Sequence, residues 1–261
     1  MLSKTNVFLQ RELYEGVIYP ESDGMPMADN TAQFQWLTTI KGNLDAIFAE
    51  DPNVFVAGDL LWYPVKGHPE VRTAPDAMVV FGRPKGHRGS YMQFAEENIP
   101  PQVVFEILSP GNTPEEMARK RSFFERHGVE EYYLYDPTSE RLEGWQRQGD
   151  RLVAISTMQG WISPRLGIRF VPASTGLQIF RPDGGKFLTF VELDDLHQQA
   201  QVQAIFAEER AERADERAVA ADQRARQEAA RAEQAEAYAQ RLADKLRALG
   251  IDPATLTQSQ N

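Results

Sequence analysis

The sequence contains no cysteine, which excludes disulfide bonds and every metal site that depends on thiolate ligands. Histidine is scarce as well, and the four histidines do not have the HExxH or HxxxH spacing of a zinc hydrolase. No apolar run is long enough to cross a membrane, and the N-terminal residues lack the apolar segment of a signal peptide. We therefore expect a cytoplasmic protein without membrane contact, in which any bound metal has oxygen ligands.

Basic residues are in deficit, because 28 Lys and Arg stand against 38 Asp and Glu and the formal net charge is -10. Proteins gain much of their affinity for nucleic acid by neutralising phosphates, so this charge disfavours general binding to duplexes. A groove for nucleic acid would have to be a local basic patch. The glycine-rich loop 82–89 is the candidate, through Arg83, Lys85 and Arg88. The alternative is a solvated loop that only offsets nearby acidic residues.

The first part of the chain alternates helical and strand-like patterns. Residues 1–27 hold several glycine and proline breakers and are expected to be irregular. Apolar residues at helical spacing predict a first helix, capped by Asp29 or Asn30 and reaching about Glu50. Further elements follow in the order strand 54–62, strand 77–81, strand 102–108, helix 114–127 and strand 131–136. The order helix, three strands, helix, strand predicts an α/β fold in which the last two strands are parallel.

The rest of the chain falls into two segments. From 141 to 193, short strand-like runs separated by turn signals predict β-hairpins that extend the core. The composition changes at Asp194, so we expect one domain at 1–193 and a second region at 194–261.

Within the second region, a seam of small and apolar residues recurs at alternating steps of four and three. The seam comprises residues 200, 204, 207, 211, 214, 218, 221, 225, 228, 232, 235, 239, 242, 246 and 249. Every seam residue is alanine or leucine except Glu228. This spacing predicts an Ala-rich C-terminal helix and a coiled coil about 75 Å long, through which residues 200–249 form a homo-oligomer. The alternative is a single charged helix stabilised by ion pairs between residues four apart.

Three ionisable residues stand among apolar neighbours, where a charge without a partner is costly. Asp76 opens the strand at 77–81, and Glu106 lies in a strand whose two faces are otherwise apolar. Lys120 lies on the apolar face of the second helix. Two acids and a lysine at the edge of a sheet suit a divalent metal and a phosphate. The structural alternative for Asp76 is a turn residue, and for Glu106 it is one half of a buried ion pair. For Lys120 it is a lysine whose side chain reaches the surface.

We predict that Asp76, Glu106 and the backbone carbonyl of Ile107 bind Mg²⁺, for which Mn²⁺ substitutes. The ion would activate a water and neutralise the scissile phosphate, while Lys120 orients that water or the phosphate. Asp59, which also has apolar neighbours, is a candidate supporting residue. The set of residues indicates a metal-dependent nuclease.

These residues belong to a longer ordered pattern. It consists of Pro75-Asp76, Phe105-Glu106-Ile107-Leu108-Ser109-Pro110, Lys120, and Glu131-Tyr132-Tyr133-Leu134-Tyr135-Asp136-Pro137. The pattern resembles the Uma2 family of restriction endonucleases, within the PD-(D/E)XK nuclease superfamily, over roughly residues 15–190. The resemblance implies a restriction-endonuclease-like αβββαβ core, with Asp76 and Glu106 as metal ligands and Lys120 as the catalytic lysine.

Two positions depart from the superfamily pattern. Leu108 stands where the superfamily has its lysine, two residues after the glutamate, and Lys120 on the following helix takes that place. The first helix offers the uncharged Asn30 or Gln33 where the superfamily often has an acid, with Asp45 and Glu50 farther along. A fourth metal ligand is therefore not assigned.

The leading interpretation is a metal-dependent endonuclease that hydrolyses phosphodiester bonds in DNA. No specificity domain is evident in the sequence, so a partner protein is a candidate source of sequence selectivity. The competing interpretation is a non-catalytic binding module with a nuclease fold, assembled through the coiled coil. The acidic composition and the missing acid in the first helix favour the second interpretation, whereas the retained Asp76, Glu106 and Lys120 favour the first.

Overall fold

The structure of the chain, a computed structural model, describes residues 11–24, 28, 30–173, 176–250 and 252. The chain divides into two units, Met1–Leu193 and Asp194–Asn261. None of the helices in this described part of the chain is both long enough and apolar enough to cross a membrane.

The described chain begins with a hairpin of two strands, β1 (Arg11–Tyr14) and β2 (Val17–Pro20). Glu15 and Gly16 join these strands with φ angles of 48° and 83°, as a two-residue hairpin turn requires. The prediction of an irregular segment over 1–27 is therefore wrong for the hairpin. The glycine there forms the turn between two strands and does not interrupt regular structure.

Helix α1 (Thr31–Ile47) begins at the predicted cap Asn30, whose Oδ1 accepts a hydrogen bond from Gln33 N at 2.9 Å. The alternative cap, Asp29, lies outside the described residues. The helix ends before the predicted Glu50, because the backbone leaves the helical conformation one residue after Ile47. The predicted first helix is otherwise confirmed.

Eight strands and a second helix make up the next part of the chain. The strands are β3 (Val54–Gly58), β4 (Trp62–Tyr63), β5 (Ala77–Phe81), β6 (Tyr91–Met92), β7 (Val103–Ile107), β8 (Glu131–Asp136), β9 (Arg141–Gln148) and β10 (Arg151–Ala154). Helix α2 (Pro114–Arg126) connects β7 to β8. The predicted strand at 54–62 is too long, because Asp59 has a left-handed φ of 47° that ends β3.

Six of these strands form one sheet in the order β10-β9-β8-β7-β5-β3, while β4 pairs with β6 outside it. β7 and β8 are parallel, as predicted, and the other neighbouring strands of the sheet are antiparallel. Elements α1, β3, β5, β7, α2 and β8 follow one another as the predicted αβββαβ core. The prediction of the fold is therefore confirmed.

The two helices pack on opposite faces of the sheet. Side chains alternate along β7, so Phe105 and Ile107 join the apolar cluster that contains α1, whereas Val104 joins the cluster that contains α2. Glu106 follows the same alternation and lies on the face covered by α2. The central strand thus presents one carboxylate to the second helix.

The predicted hairpins after residue 141 are confirmed. β9 and β10 form a hairpin that extends the central sheet. β11 (Arg169–Ala173) and β12 (Gly176–Phe180) form a separate two-stranded sheet, whose residues Phe170 and Ile179 join the cluster on the α1 face.

Helix α3 (Phe190–Ala248) is the last described helix. Thr189 and Glu192 form a capping box at its start, because each side chain accepts a hydrogen bond from the backbone N–H of the other. Gly250 has a φ of 81° just after the helix ends. The predicted C-terminal helix is confirmed, whereas its pairing in a coiled coil stays a prediction.

A buried carboxylate at the start of β8 holds the segment before β11 against the sheet. Glu131 is 1% exposed and accepts hydrogen bonds from the Tyr133 hydroxyl and from Arg165 N, both at 2.8 Å. The Ser163 hydroxyl donates a further hydrogen bond to it. Its neighbour Glu130 forms a partly exposed ion pair with the Arg165 side chain. Glu131 therefore accepts hydrogen bonds from donors in the interior, whereas Glu130 accepts them from a side chain near the surface.

We expect Glu131→Ala to lower the free energy of unfolding by about 3 kcal/mol, because three donors lose their acceptor in the interior. Glu130→Ala, a matched change one residue away, should cost less than about 1 kcal/mol, since partly exposed ion pairs contribute little. Equilibrium denaturation in urea measures both values. Equal losses in the two variants would contradict the role assigned to Glu131.

Candidate active site at the edge of the sheet

The facing ends of β5 and β7 place an acid against the central strand. The two strands are antiparallel, with Ala77 opposite Phe105. Continuing that register places Asp76, the residue before β5, opposite Glu106. The backbone N–H of the next residue, Ile107, donates a hydrogen bond to Asp76 Oδ2 at 2.6 Å. This bond fixes the buried Asp76 carboxylate one residue away from Glu106.

Helix α2 adds the lysine. Thr113 caps this helix, and Lys120 comes two turns later on the side that covers the sheet. Lys120 Nζ donates a hydrogen bond to Glu106 Oε2 at 2.8 Å; the Glu106 side chain is 3% exposed and the Lys120 side chain 25%. The structure thus brings together Asp76, Glu106 and Lys120, which the sequence places on three different elements.

The charges of Lys120, Glu106 and Asp76 influence one another. Burial raises the pKa of Glu106 to about 8; the charge of Lys120 opposes this rise, and the charge of Asp76 adds to it. Burial disfavours the charged form of Lys120, but the Glu106 and Asp76 carboxylates outweigh that effect and raise the Lys120 pKa. Among the buried side-chain atoms that the structure describes, Glu106 Oε1 has no hydrogen-bond partner. The charge of the Lys120 ammonium group therefore acts together with those of both Glu106 and Asp76.

A third acid, Asp59, contributes to the field at the site. Its backbone N–H donates a hydrogen bond to the carbonyl of Pro75 at 3.1 Å, which holds it near the start of β5. Burial raises the pKa of Asp59 to about 6, with the charges of Asp76 and Asp23 adding to the rise. Lys120 opposes it. The described residues nevertheless contain no group of three or more His, Asp or Glu arranged to hold a metal, so Asp59 adds charge without completing such a group.

Helix α1 reaches the site through an amide. The buried Gln33 side chain donates from Nε2 to the backbone carbonyl of Ile107 at 3.1 Å. A carbonyl oxygen has two lone pairs, so this bond orients the predicted Ile107 ligand and leaves a lone pair for a cation. The other candidates on this helix are engaged elsewhere, because Asn30 caps the helix and Asp45 pairs with Lys41.

These oxygen atoms fit a hard divalent cation. The carboxylates of Asp76 and Glu106 and the carbonyl of Ile107 are the donor types that Mg²⁺ and Mn²⁺ prefer. A cation between the two carboxylates would relieve their repulsion and provide a partner for Glu106 Oε1. The residues present therefore suit a metal site with two carboxylates and an adjacent lysine.

The Tyr132 hydroxyl also bears on this site, although the sequence analysis does not assign it a role. It is buried, and no hydrogen-bond partner for it occurs among the residues that the structure describes. Burial raises its pKa well above the ordinary value, and the Glu106 carboxylate adds to the rise. The Tyr132 ring stacks on Trp145 with 5.0 Å between ring centroids. In the sequence, a tyrosine in an apolar strand indicates a core residue. That pattern does not indicate that Tyr132 lies near Glu106.

The basic loop after β5 meets partners within its own unit. Arg83 Nε and Arg88 Nε donate to the two carboxylate oxygens of Glu96, at 2.9 and 2.6 Å. Lys85 Nζ donates to the backbone carbonyl of Phe48 at 2.6 Å. These bonds anchor the loop to the rest of the unit, and its contact with nucleic acid stays a prediction.

A cavity of about 430 Å³ opens where β7 ends, two residues after Glu106. Apolar side chains of Leu108, Met117 and Leu134 line it together with Arg121 and with Arg141, which forms an ion pair with Glu143 in the same lining. This combination can accommodate a flat apolar group and an anionic group in one space.

We expect Lys120→Met to lower the free energy of unfolding by about 3 kcal/mol, because it leaves the buried Glu106 carboxylate without its cation. The double variant Glu106→Leu/Lys120→Met should lose less, since both charges are then replaced by apolar groups. Urea denaturation in the presence of EDTA compares the two, with Arg119→Met as the matched control on the exposed side of α2. A double variant less stable than Lys120→Met would argue against this coupling.

Comparisons with known proteins identify the family of the chain. The family model Uma2, described as "putative restriction endonuclease", matches residues 9–169, which include Asp76, Glu106 and Lys120. No curated protein matches the chain. Among solved structures, a crystal structure described as "a putative nuclease belonging to DUF820" from Anabaena variabilis is 16% identical, with a TM-score of 0.39, over 62% of this chain and 84% of that chain. The family match spans more than half of the sequence, and the chain therefore belongs to the Uma2 family of putative restriction endonucleases.

Proposed function

We propose that the chain is a metal-dependent endonuclease that hydrolyses phosphodiester bonds in DNA. The observation that carries this proposal is the convergence of Asp76, Glu106 and Lys120 at one edge of the sheet. Two neighbouring buried carboxylates, one of which has an oxygen without a hydrogen-bond partner among the described residues, form a costly arrangement in a protein interior. A catalytic role accounts for that cost, because nucleases of this chemistry need a cation site and a fixed positive charge beside the phosphate.

The proposed metal ligands are Asp76, Glu106 and the Ile107 carbonyl, with Mg²⁺ as the ion and Mn²⁺ as a substitute. A divalent cation bound there supplies a lowered pKa for an attacking water and neutralises charge on the scissile phosphate. The Ile107 N–H keeps the Asp76 carboxylate in position, and the Gln33 amide orients the Ile107 carbonyl. These bonds organise the oxygen atoms before any substrate arrives.

Lys120 has a separate part in the proposed mechanism. Its ammonium group donates a hydrogen bond to Glu106 at 2.8 Å and has further N–H donors that it can direct toward a substrate, and the Lys120 side chain is one-quarter exposed. It would orient the attacking water or stabilise a phosphate oxygen as negative charge builds there. The neighbouring cavity supports this proposal, because the nucleotide that flanks the scissile bond needs space beside the site.

Selectivity for particular DNA sequences is proposed to come from a partner protein. The chain has a net charge of -10, and Arg83, Lys85 and Arg88 already have partners within the unit. Weak phosphate neutralisation by the chain itself favours an arrangement in which another protein supplies much of the DNA affinity.

A second candidate function is a non-catalytic binding module with the same fold. One observation favours it: the described residues hold no group of three or more potential ligands for a metal. This candidate predicts that neither metal nor the identity of residue 106 affects any reaction of the chain with DNA.

The test is cleavage of supercoiled plasmid and of single-stranded DNA with Mg²⁺ or Mn²⁺. We expect Glu106→Gln and Lys120→Ala each to reduce the rate by about a thousandfold, because each removes several kcal/mol of transition-state stabilisation. Glu115→Gln and Arg119→Ala, matched changes on exposed positions of α2, should cleave like the wild type. Thermal melting checks that all variants are folded. Undiminished cleavage by Glu106→Gln would refute the assigned site, and metal-independent cleavage would refute the assigned chemistry.

A further inference from the structure

Helix α3 has no buried residue anywhere between Phe190 and Ala248. Large apolar side chains on the seam, such as Leu242 and Leu249, are 50% and 76% exposed. A long helix with a sustained seam of alanine and leucine that remains exposed in the single chain is suited to pairing with another helix. The charged residues beside the seam indicate which chain supplies that second helix.

The seam has two flanks of opposite charge. We define the leading flank as the residues that directly precede seam positions 204, 211, 218, 225, 232, 239 and 246. They are Gln203, Arg210, Arg217, Arg224, Arg231, Tyr238 and Lys245. We define the trailing flank as the residues that directly follow seam positions 200, 207, 214, 221, 228, 235 and 242. They are Gln201, Glu208, Asp215, Asp222, Ala229, Glu236 and Ala243. The leading flank contains no acid and the trailing flank contains no base.

Ion pairs within one helix account for only part of these charges, since Asp222 pairs with Arg226 and Glu228 lies within reach of Arg224 and Arg231. Such pairs join residues three or four apart. Arg210 and Arg217 have no acid at those distances, and Glu208, Asp215 and Glu236 have no base there. Between 194 and 250, all of which the structure describes, the ion pairs are Arg213 with Glu209, Arg226 with Asp222, and Arg247 with Asp244. The arginines of the leading flank take no part in them.

We infer that the partner of α3 is a second copy of this chain, aligned parallel and in register. In a parallel pair, a leading-flank residue faces the partner's trailing-flank residue five positions later. Arg210 then faces the partner's Asp215, and Arg217 faces the partner's Asp222. Arg231 likewise faces the partner's Glu236, and symmetry repeats every pair. An antiparallel pair would place arginine against arginine and acid against acid, so the charges select the parallel arrangement.

The seam itself fits this arrangement. Leu242, Leu246 and Leu249 anchor the C-terminal end of the pair, while alanine lets the remaining helix backbones approach closely. Glu228 meets its own counterpart across the seam, which weakens the middle of the pair. Both chains enter the coil from the same end.

Sedimentation equilibrium and cysteine cross-linking of the full chain test orientation and register. We expect a mass twice that of the single chain. Residue 207 is a seam position in a chain that has no cysteine of its own, so the Ala207→Cys variant should rapidly form a disulfide between the two chains. Ala230→Cys, the same change on the outer face, should not cross-link. A monomeric mass would overturn the inference. A dimer in which Ala207→Cys cross-links only with Ala239→Cys would be antiparallel and would overturn it as well.

A charge swap on the same chain tests the proposed pairs. Arg210→Glu should weaken the dimer about tenfold, because two attractive contacts become repulsive. The double variant Arg210→Glu/Asp215→Arg should restore wild-type association, since the pair is re-formed with its charges exchanged. Neither residue has an oppositely charged neighbour three or four positions away, so the helix itself does not depend on them. Failure of the double variant to recover would refute the pairing of these two positions.

Discussion

The ion pair between Glu106 and Lys120 is the interaction on which the rest of the site depends. A carboxylate that is only 3% exposed is tolerated in the central strand because an ammonium group is delivered to it by α2. The parallel crossover from β7 to β8 makes that delivery possible, since its helix must cover the face of the sheet to which Glu106 points. Topology and electrostatics are therefore coupled: the connection that orders the strands also positions the lysine.

Physical constraints explain which parts of the fold and site could be predicted from the sequence. The element order was readable because β7 is apolar on both faces and α2 has helical spacing with a cap and a terminating glycine. Asp76, Glu106 and Lys120 were identifiable because charges in apolar segments require partners, and their spatial convergence agrees with that requirement. Their roles as ligands and catalyst remain predictions.

Contacts between distant residues were not predictable. Gln33 bonds to a carbonyl 74 positions away, and Glu96 accepts hydrogen bonds from both arginines of the loop that was a candidate for nucleic-acid contact. Neither of these contacts produces a periodic pattern in the sequence. The left-handed backbone of Asp59 is likewise a local conformation imposed where β3 must end, and an aspartate in an apolar run predicts a strand instead.

The central claim is that Asp76 and Glu106 hold a divalent metal ion, and isothermal titration with Mn²⁺ tests it without reference to any substrate. The account predicts that the wild-type chain binds one ion, and that Asp76→Asn and Glu106→Gln each abolish binding. Glu115→Gln, an exposed acid on α2, should bind like the wild type. A wild-type chain that binds no ion, or binding that survives both substitutions at the site, would contradict the account.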